Sequence, residues 1–307
     1  MPTLEDRAGP DHCRELAGAE PAAQIGLRGP QQLYELWERE PWQSHAIDLG
    51  RDRRDWSRLD QRQRDSFGWP LSAFFLGEER VATQLTGLLV ACGGPAEESF
   101  LASQQVDEVR HMQFFDRFHR EVLGLDGGDL GDRLARARGE ANDAFVTIVD
   151  EALVAAGDAL LAAPSDLGAK VDFVTTYHMV IEGTLALTGQ HYLMRCLERA
   201  RILPGLLEGF RHVARDEHRH IAYGAWFLAQ TAGRDPALAE RCRAKLRELM
   251  PLMAGALAPP GHEAGERWEL FGYRSEEVDG FAFTALHRRL SAIGVPLAAA
   301  DPAAAWG

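Results

Sequence analysis

Two short motifs in the sequence have the residue types and spacing of a metal site. Glu108 is followed three residues later by His111, and Glu217 is followed three residues later by His220. In a helix, residues three apart share one face, with Cβ atoms about 5–6 Å apart, so a carboxylate and an imidazole can reach the same cation. A single such motif arises easily by chance, so the spacing alone is weak evidence.

The positions of four glutamates strengthen the metal interpretation. Glu78, Glu108 and Glu217 fall within the apolar stripes of amphipathic helices, and Glu182 lies in a largely apolar run. A buried carboxylate is destabilising unless it is paired or binds a metal. Ion pairs inside a helical bundle are the alternative, but these stripes contain almost no cations. The order Glu, Glu-x-x-His, Glu, Glu-x-x-His is the ligand set of dinuclear carboxylate proteins built on four-helix bundles.

The donor types also indicate which metals would bind. Carboxylate oxygens with only two imidazoles suit iron or manganese better than zinc or copper. The four negative charges of the carboxylates would be balanced by two divalent ions.

Helical periodicity covers most of the chain from about residue 58, and no run alternates like a strand. Gly68 and Pro70 predict a break within the first helical region, and Ser165 is a candidate N-cap for a long helix. The predicted helices cover about 58–67, 71–92, 96–123, 140–163, 166–199, 204–231, 236–257 and 276–292. We therefore expect one all-α domain over 31–292, between a flexible N-terminal extension at 1–30 and an Ala/Pro-rich tail at 293–307.

Composition excludes several classes of function. Asp and Glu total 46 against 33 Lys and Arg, a formal net charge of −13, which argues against binding nucleic acid or an anionic membrane. No apolar run is long enough to predict a membrane span, and the first residues do not resemble a signal peptide. The four cysteines are far apart and form no Cys-x-x-Cys motif, so we expect reduced thiols and a cytoplasmic protein.

The sequence around the candidate ligands resembles the ribonucleotide reductase small-subunit superfamily, and within it the R2-like ligand-binding oxidases. The resemblance covers about residues 31–230, including Trp42, Asp48, Asp52, Asp55, the run Phe75-Leu76-Gly77-Glu78 and the run Asp216-Glu217-His218-Arg219-His220-Ile221-Ala222-Tyr223-Gly224. It implies a ferritin-like four-helix bundle core with additional helices. The metal ligands that it implies are Glu78, Glu108, His111, Glu182, Glu217 and His220.

Two further positions resemble the ligand-binding oxidases in particular. Val81 follows Glu78 by three residues, and Tyr177 precedes Glu182 by five. In that family such a pair becomes joined by an ether bond between the Val β-carbon and the Tyr oxygen. Asp216 resembles the family's aspartate that holds the first-site imidazole, here His111, from outside the ligand shell.

The same resemblance implies the chemistry and the partners. It implies a mixed manganese–iron pair, with di-iron as an alternative, that activates O2 for a two-electron oxidation. It also implies a long-chain fatty acid or similar apolar ligand in a channel over the site, and a homodimer.

A radical-generating small subunit of a manganese–iron ribonucleotide reductase is the main alternative. Phe115 stands four residues after His111, where a tyrosyl-radical subunit normally has Tyr. The radical-free manganese–iron subclass also has Phe there, so Phe115 does not decide the question. A reductase subunit needs a carboxy-terminal Tyr as a radical relay, and this sequence has none after Tyr273. These residues favour an O2-dependent oxidase. A third possibility is a structural bundle that binds no metal.

Overall fold

The computed structural model describes residues 27–262 and 265–297. Most of the predicted extension at 1–30 and residues 298–307 of the predicted tail lie outside these ranges. The described residues form ten helices: α1 (Pro30–Arg39), α2 (Gly50–Arg58), α3 (Gln61–Val90), α4 (Pro95–Glu121), α5 (Leu130–Glu140), α6 (143–162), α7 (167–200), α8 (Pro204–Gln230), α9 (Pro236–Ala256) and α10 (Ser275–Ala292). The predicted all-α class is confirmed.

Four long helices position the candidate ligands. Glu78 lies on α3, Glu108 and His111 on α4, Glu182 on α7, and Glu217 and His220 on α8. Helices α3 and α4 are joined by only four residues and pack along one another. These four helices form the bundle that encloses the site, and the remaining helices cover it.

The break predicted at Gly68 and Pro70 is wrong, because α3 runs without interruption from Gln61 to Val90. A proline inside a helix costs about 3 kcal/mol through its missing N–H and its clash with the preceding turn. Burial of the flanking Phe67 and Leu71 offsets this local cost. Tertiary packing therefore overrides the local signal.

Several other elements differ from the sequence predictions. Helices α1, α2 and α5 were not predicted, and neither was a two-stranded hairpin that pairs Glu269–Leu270 with Tyr273–Arg274. The N-cap of α7 is Asp166 and not Ser165, because the Asp166 carboxylate accepts hydrogen bonds from the backbone N–H groups of Gly168 and Ala169. The helical stretch at Thr175–Ala186 within α7 has π-helical hydrogen bonding, as does Thr147–Ala152 within α6.

The core consists of two clusters of buried apolar side chains. The larger one contains Val81 and Tyr177, and it also includes Val295, C-terminal to α10. The second is rich in aromatic rings and includes Phe74 and Phe115, which stack with their centroids 5.6 Å apart. These two clusters surround the candidate acidic ligands of the bundle with mostly apolar side chains.

Two aspartates of α2 anchor the start of α8, the helix that carries Glu217 and His220. The buried carboxylate of Asp52 accepts hydrogen bonds from the backbone N–H groups of Gly205 (2.9 Å) and Leu206 (2.7 Å). Asp55 accepts one from the N–H of Leu203 at 3.0 Å. Because the first N–H groups of a helix have no partner within the helix, these carboxylates act as its N-terminal caps from another element.

Replacing this cap should destabilise the whole domain. We expect Asp52→Ala to lower the free energy of unfolding by about 1–2 kcal/mol, the usual cost of losing a helix cap. Urea denaturation followed by circular dichroism measures the change. Asp48→Ala is the matched control, since Asp48 is exposed and its carboxylate accepts only a local hydrogen bond from the N–H of Gly50. Equal stability of the two variants would contradict this role of Asp52.

Candidate metal centre

The six predicted ligands converge in the centre of the bundle. All are buried: Glu78 is 6% exposed, Glu182 2% and Glu217 4%, and Glu108, His111 and His220 are fully buried. Their donor atoms form two groups within which all donors lie less than 4.8 Å apart: Glu78, Glu108, His111 and Glu217, and Glu108, Glu182, Glu217 and His220. Glu108 and Glu217 belong to both groups, so each can bridge two neighbouring ions.

Buried atoms without a hydrogen-bond partner show that this cluster fits a cation. Among the described residues, Oε2 of Glu108, Oε2 of Glu182, Oε2 of Glu217 and Nδ1 of His220 all lack a hydrogen bond. A buried acceptor without a partner costs free energy comparable to a lost hydrogen bond, and more when it is charged. Metal ions between these atoms would satisfy them together. The donor set therefore fits a dinuclear metal cofactor.

The protein's own cationic groups compensate only part of this concentration of acid. Burial is the largest influence on Glu78 and raises its pKa to about 8. Burial likewise raises the pKa of Glu182, with a further rise from the charge of Glu217. For Glu108 the effect of burial is outweighed by the imidazoles of His220 and His111, which hold its pKa well below the usual range. Two bound dications would supply the positive charge that these groups lack.

The two histidines are oriented by a reciprocal pair of aspartates. Nε2 of His111 lies 3.2 Å from Oδ2 of Asp216, and Nε2 of His220 lies 3.3 Å from Oδ2 of Asp107. Each aspartate directly precedes the glutamate of the other Glu-x-x-His motif: Asp216, which contacts His111, precedes Glu217, and Asp107, which contacts His220, precedes Glu108. In both rings Nδ1 faces the carboxylate cluster. This is the arrangement in which a ligating histidine donates its other N–H to a carboxylate.

The sequence predictions included Asp216 but missed Asp107. The signal was present, because both motifs read Asp-Glu-x-x-His, with Asp107 before Glu108 as Asp216 stands before Glu217. Two helices that face each other with the same motif place each aspartate behind the other helix's imidazole.

Both aspartates also accept hydrogen bonds from an arginine and from tryptophan side chains. The guanidinium of Arg219 donates to Asp107 at 3.0 Å and to Asp216 at 2.6 Å. Nε1 of Trp42 donates to Asp216 at 2.6 Å, and Nε1 of Trp37 donates to Asp107 at 2.9 Å. These hydrogen bonds hold both carboxylates in place behind the imidazoles.

The hydroxyl of Tyr177 points directly at Glu108, which belongs to both donor groups. Its hydroxyl donates to Oε1 of Glu108 at 2.6 Å and accepts from Nε2 of Gln104 at 3.0 Å. Gln104 was not singled out in the sequence, although it lies one turn before Glu108 on the same face. Val81, predicted to react with Tyr177, is 4% exposed and belongs to the same apolar cluster.

The π-helical segment explains how α7 presents Tyr177 and Glu182 together. Hydrogen bonds in a π-helix connect residues five apart, so residues at that spacing occupy equivalent positions on successive turns. Tyr177 and Glu182 are five residues apart and both lie within Thr175–Ala186. A regular helix would rotate one of them away from the site.

An apolar cavity of about 960 Å³, counting its open end, adjoins the cluster. Among the described residues lining it, Glu78, Glu182 and Glu217 are the only charged ones, and Val81 also contributes to its wall. The rest of the wall is mostly apolar, and the hairpin with its flanking residue supplies Trp268, Leu270, Phe271 and Tyr273. The wall of the cavity therefore has carboxylates in one region and mostly apolar side chains elsewhere.

In the part of the chain that the structure describes, none of the helices has an apolar stretch sufficient to cross a bilayer.

The bundle and its buried carboxylate–histidine cluster define a ferritin-like protein able to bind a dinuclear metal cofactor. Residues 28–296 match the family model described as ribonucleotide reductase, small chain, and the chain belongs to that family.

Solved structures of R2-like ligand-binding oxidases are similar to this chain. One, with an aerobically reconstituted Mn/Fe cofactor, is 25% identical with a TM-score of 0.73, over 85% of this chain and 92% of that chain. Another, a valine-to-leucine mutant with an anaerobically reconstituted Mn/Fe cofactor, is 25% identical with a TM-score of 0.74, over 87% of this chain and 94% of that chain. The predicted ferritin-like, R2-like fold is thereby confirmed.

Removing one ligand should reduce the metal content. We expect the parent protein, loaded with Mn(II) and Fe(II), to bind roughly two ions per chain, and Glu78→Gln to lose about one of them, because Glu78 belongs to only one donor group. Elemental analysis after desalting measures this. Glu79→Gln is the matched control, since the Glu79 side chain instead contacts Thr83 and Arg80. Equal metal content in the two variants would rule out Glu78 as a ligand.

Proposed function

We propose that this protein is an O2-dependent dinuclear metal oxidase of the R2-like ligand-binding type. The observation that carries the proposal is the pair of four-donor groups that share Glu108 and Glu217, with the Tyr177 hydroxyl bonded to the shared Glu108. The metals would be manganese and iron, as in the similar solved structures. They would be held by Glu78, Glu108, His111, Glu182, Glu217 and His220.

When bound, the metal pair supplies activation of O2 for two-electron oxidation. The protein's own residues would orient the ligands, exclude water and hold the proton of Tyr177. Asp216 and Asp107 fix the imidazole orientation, and the apolar walls of the cavity exclude water. Tyr177 holds its hydroxyl proton against Glu108, and burial, reinforced by the charge of Glu108, raises the pKa of Tyr177 well above its ordinary value. The phenol therefore keeps its proton until it is oxidised.

The first product of this chemistry would be a bond within the protein. The Cβ–H bond of Val81 and the O–H bond of Tyr177 break, and an ether bond forms between that carbon and that oxygen. The two hydrogens leave as protons and electrons, with O2 as the electron acceptor.

Peptide mapping tests this reaction. Cleavage after Arg80 and Lys170 places Val81 at the start of peptide 81–110 and Tyr177 in peptide 171–195. After metal loading in air we expect a joined species that weighs two hydrogens less than the sum of both peptides. Tyr177→Phe should abolish it, and Tyr192→Phe, which removes a hydroxyl bonded to the backbone carbonyl of Glu277, should not. Separate peptides after O2 uptake would contradict the cross-link.

The cavity supports a long-chain fatty acid or a similar apolar molecule as the ligand. Because the cavity's charged lining groups are the proposed metal ligands, an anionic head group would find positive charge only at the metals. The remaining wall suits a hydrocarbon chain.

Filling the cavity should displace this ligand. We expect Ala73→Phe, at a half-buried lining position, to weaken binding of a long-chain fatty acid by about tenfold or more, equivalent to 1.4 kcal/mol, with unchanged metal content. Ala155→Phe, at an exposed position of α6 that does not line the cavity, is the control. Calorimetric titration of the metal-loaded proteins measures both. Unchanged affinity in Ala73→Phe would place the ligand elsewhere.

We also propose that the protein is a homodimer. Val106 and Val109 on the outer face of α4 are 50% and 43% exposed, which supports a second copy covering this face. Sedimentation equilibrium should give twice the chain mass of 33.9 kDa for the parent and the single mass for Val106→Glu/Val109→Glu. A parent of single mass would contradict the dimer.

A further inference from the structure

A row of aromatic rings leads away from the metal centre on the side of Tyr177. The rings of Tyr177 and His178 have centroids 4.4 Å apart, and those of His178 and Tyr223 are 5.3 Å apart. Beyond Tyr223 lies the half-buried Trp226, at 6.0 Å. The proposed ether bond between Val81 and Tyr177 requires neither His178 nor Tyr223, so the alignment of these two rings with Tyr177 needs another explanation.

The far end of the buried part of this row carries its own proton acceptor. The hydroxyl of Tyr223 donates to Oε1 of Glu97 at 2.5 Å. Nζ of Lys170 lies 2.8 Å from the same oxygen, and the backbone N–H of Gly93 donates to Oε2. Burial alone would raise the pKa of Glu97, but the bonds from Lys170 and Tyr223 hold it below its ordinary value, so the carboxylate is ionised.

Tyr223 differs from most tyrosines of the chain in its burial and in its hydrogen bond to a buried carboxylate. All five lie in the described part, and only Tyr177 and Tyr223 are buried. Both donate to a buried carboxylate. A phenylalanine would fill the space between His178 and Phe100 equally well, so packing does not require the hydroxyl.

We propose that Tyr223 is a second redox-active tyrosine, which donates an electron to the metal centre through the rings of His178 and Tyr177 and gives its proton to Glu97. This inference rests on the proposed oxidase function, with O2 as the oxidant. The O–H bond of Tyr223 is the only bond that breaks. Tyr223 becomes a neutral radical, Glu97 becomes a carboxylic acid, and the oxidised centre is reduced by one electron. This electron serves turnovers in which Val81 and Tyr177 do not react.

Electron paramagnetic resonance on the whole 307-residue chain tests the proposal. In Tyr177→Phe, which cannot form the ether, O2 added to protein loaded with Mn(II) and Fe(II) should produce a tyrosyl radical in freeze-quenched samples. Ring-deuterated tyrosine should narrow its signal. Tyr177→Phe/Tyr223→Phe should lose the radical, and Tyr177→Phe/Tyr34→Phe should keep it, since Tyr34 bonds only the exposed Glu38 at the surface.

A second variant distinguishes loss of the radical from misfolding caused by the loss of Tyr223. Tyr177→Phe/Glu97→Gln leaves the Tyr223 ring in place but removes the carboxylate, and it should lower the radical yield. A tyrosyl signal that persists unchanged without Tyr223 would overturn the proposal, and so would O2 uptake with metal oxidation but no tyrosyl radical. Absence of both O2 uptake and metal oxidation would instead overturn the oxidase function on which it rests.

Discussion

The burial of four carboxylates in the middle of a helical bundle is the constraint on which this structure depends. Glu78, Glu108, Glu182 and Glu217 face one another in an apolar interior with only two imidazoles among them. An isolated buried charge is strongly destabilising, and mutual repulsion adds to that cost. Cations bound between the carboxylates reverse the sign of the interaction. The same arrangement that would weaken a metal-free bundle would thus favour the binding of metal ions.

The surroundings of the cluster are organised to keep it in place. Asp52 fixes the start of α8 from another helix. Behind each imidazole, an aspartate from the opposite motif fixes the ring, and Arg219 joins the two aspartates. This arrangement links α4 and α8 through charged hydrogen bonds between buried groups. A change at any of these positions would move a candidate ligand without removing it.

The sequence was sufficient to predict the cluster of candidate ligands, but not the details that orient their side chains. Glu78, Glu108 and Glu217 could be identified because the period of a helix fixes which residues share a face. The contact between Asp107 and His220 could be predicted only by comparing the two Asp-Glu-x-x-His motifs. The π-helical turns of α7 have no comparable sequence signature, so the joint orientation of Tyr177 and Glu182 required the structure. At Pro70 the local rule failed, because burial along α3 outweighs one lost hydrogen bond.

The central claim is that the carboxylate cluster holds two neighbouring metal ions. Anomalous diffraction from crystals of the metal-loaded protein, recorded on both sides of the manganese and iron absorption edges, tests it most directly. The account predicts two anomalous peaks, one in each donor group, with Glu108 and Glu217 between them. A cluster without anomalous density, with its glutamates bonded to water or to one another, would contradict it.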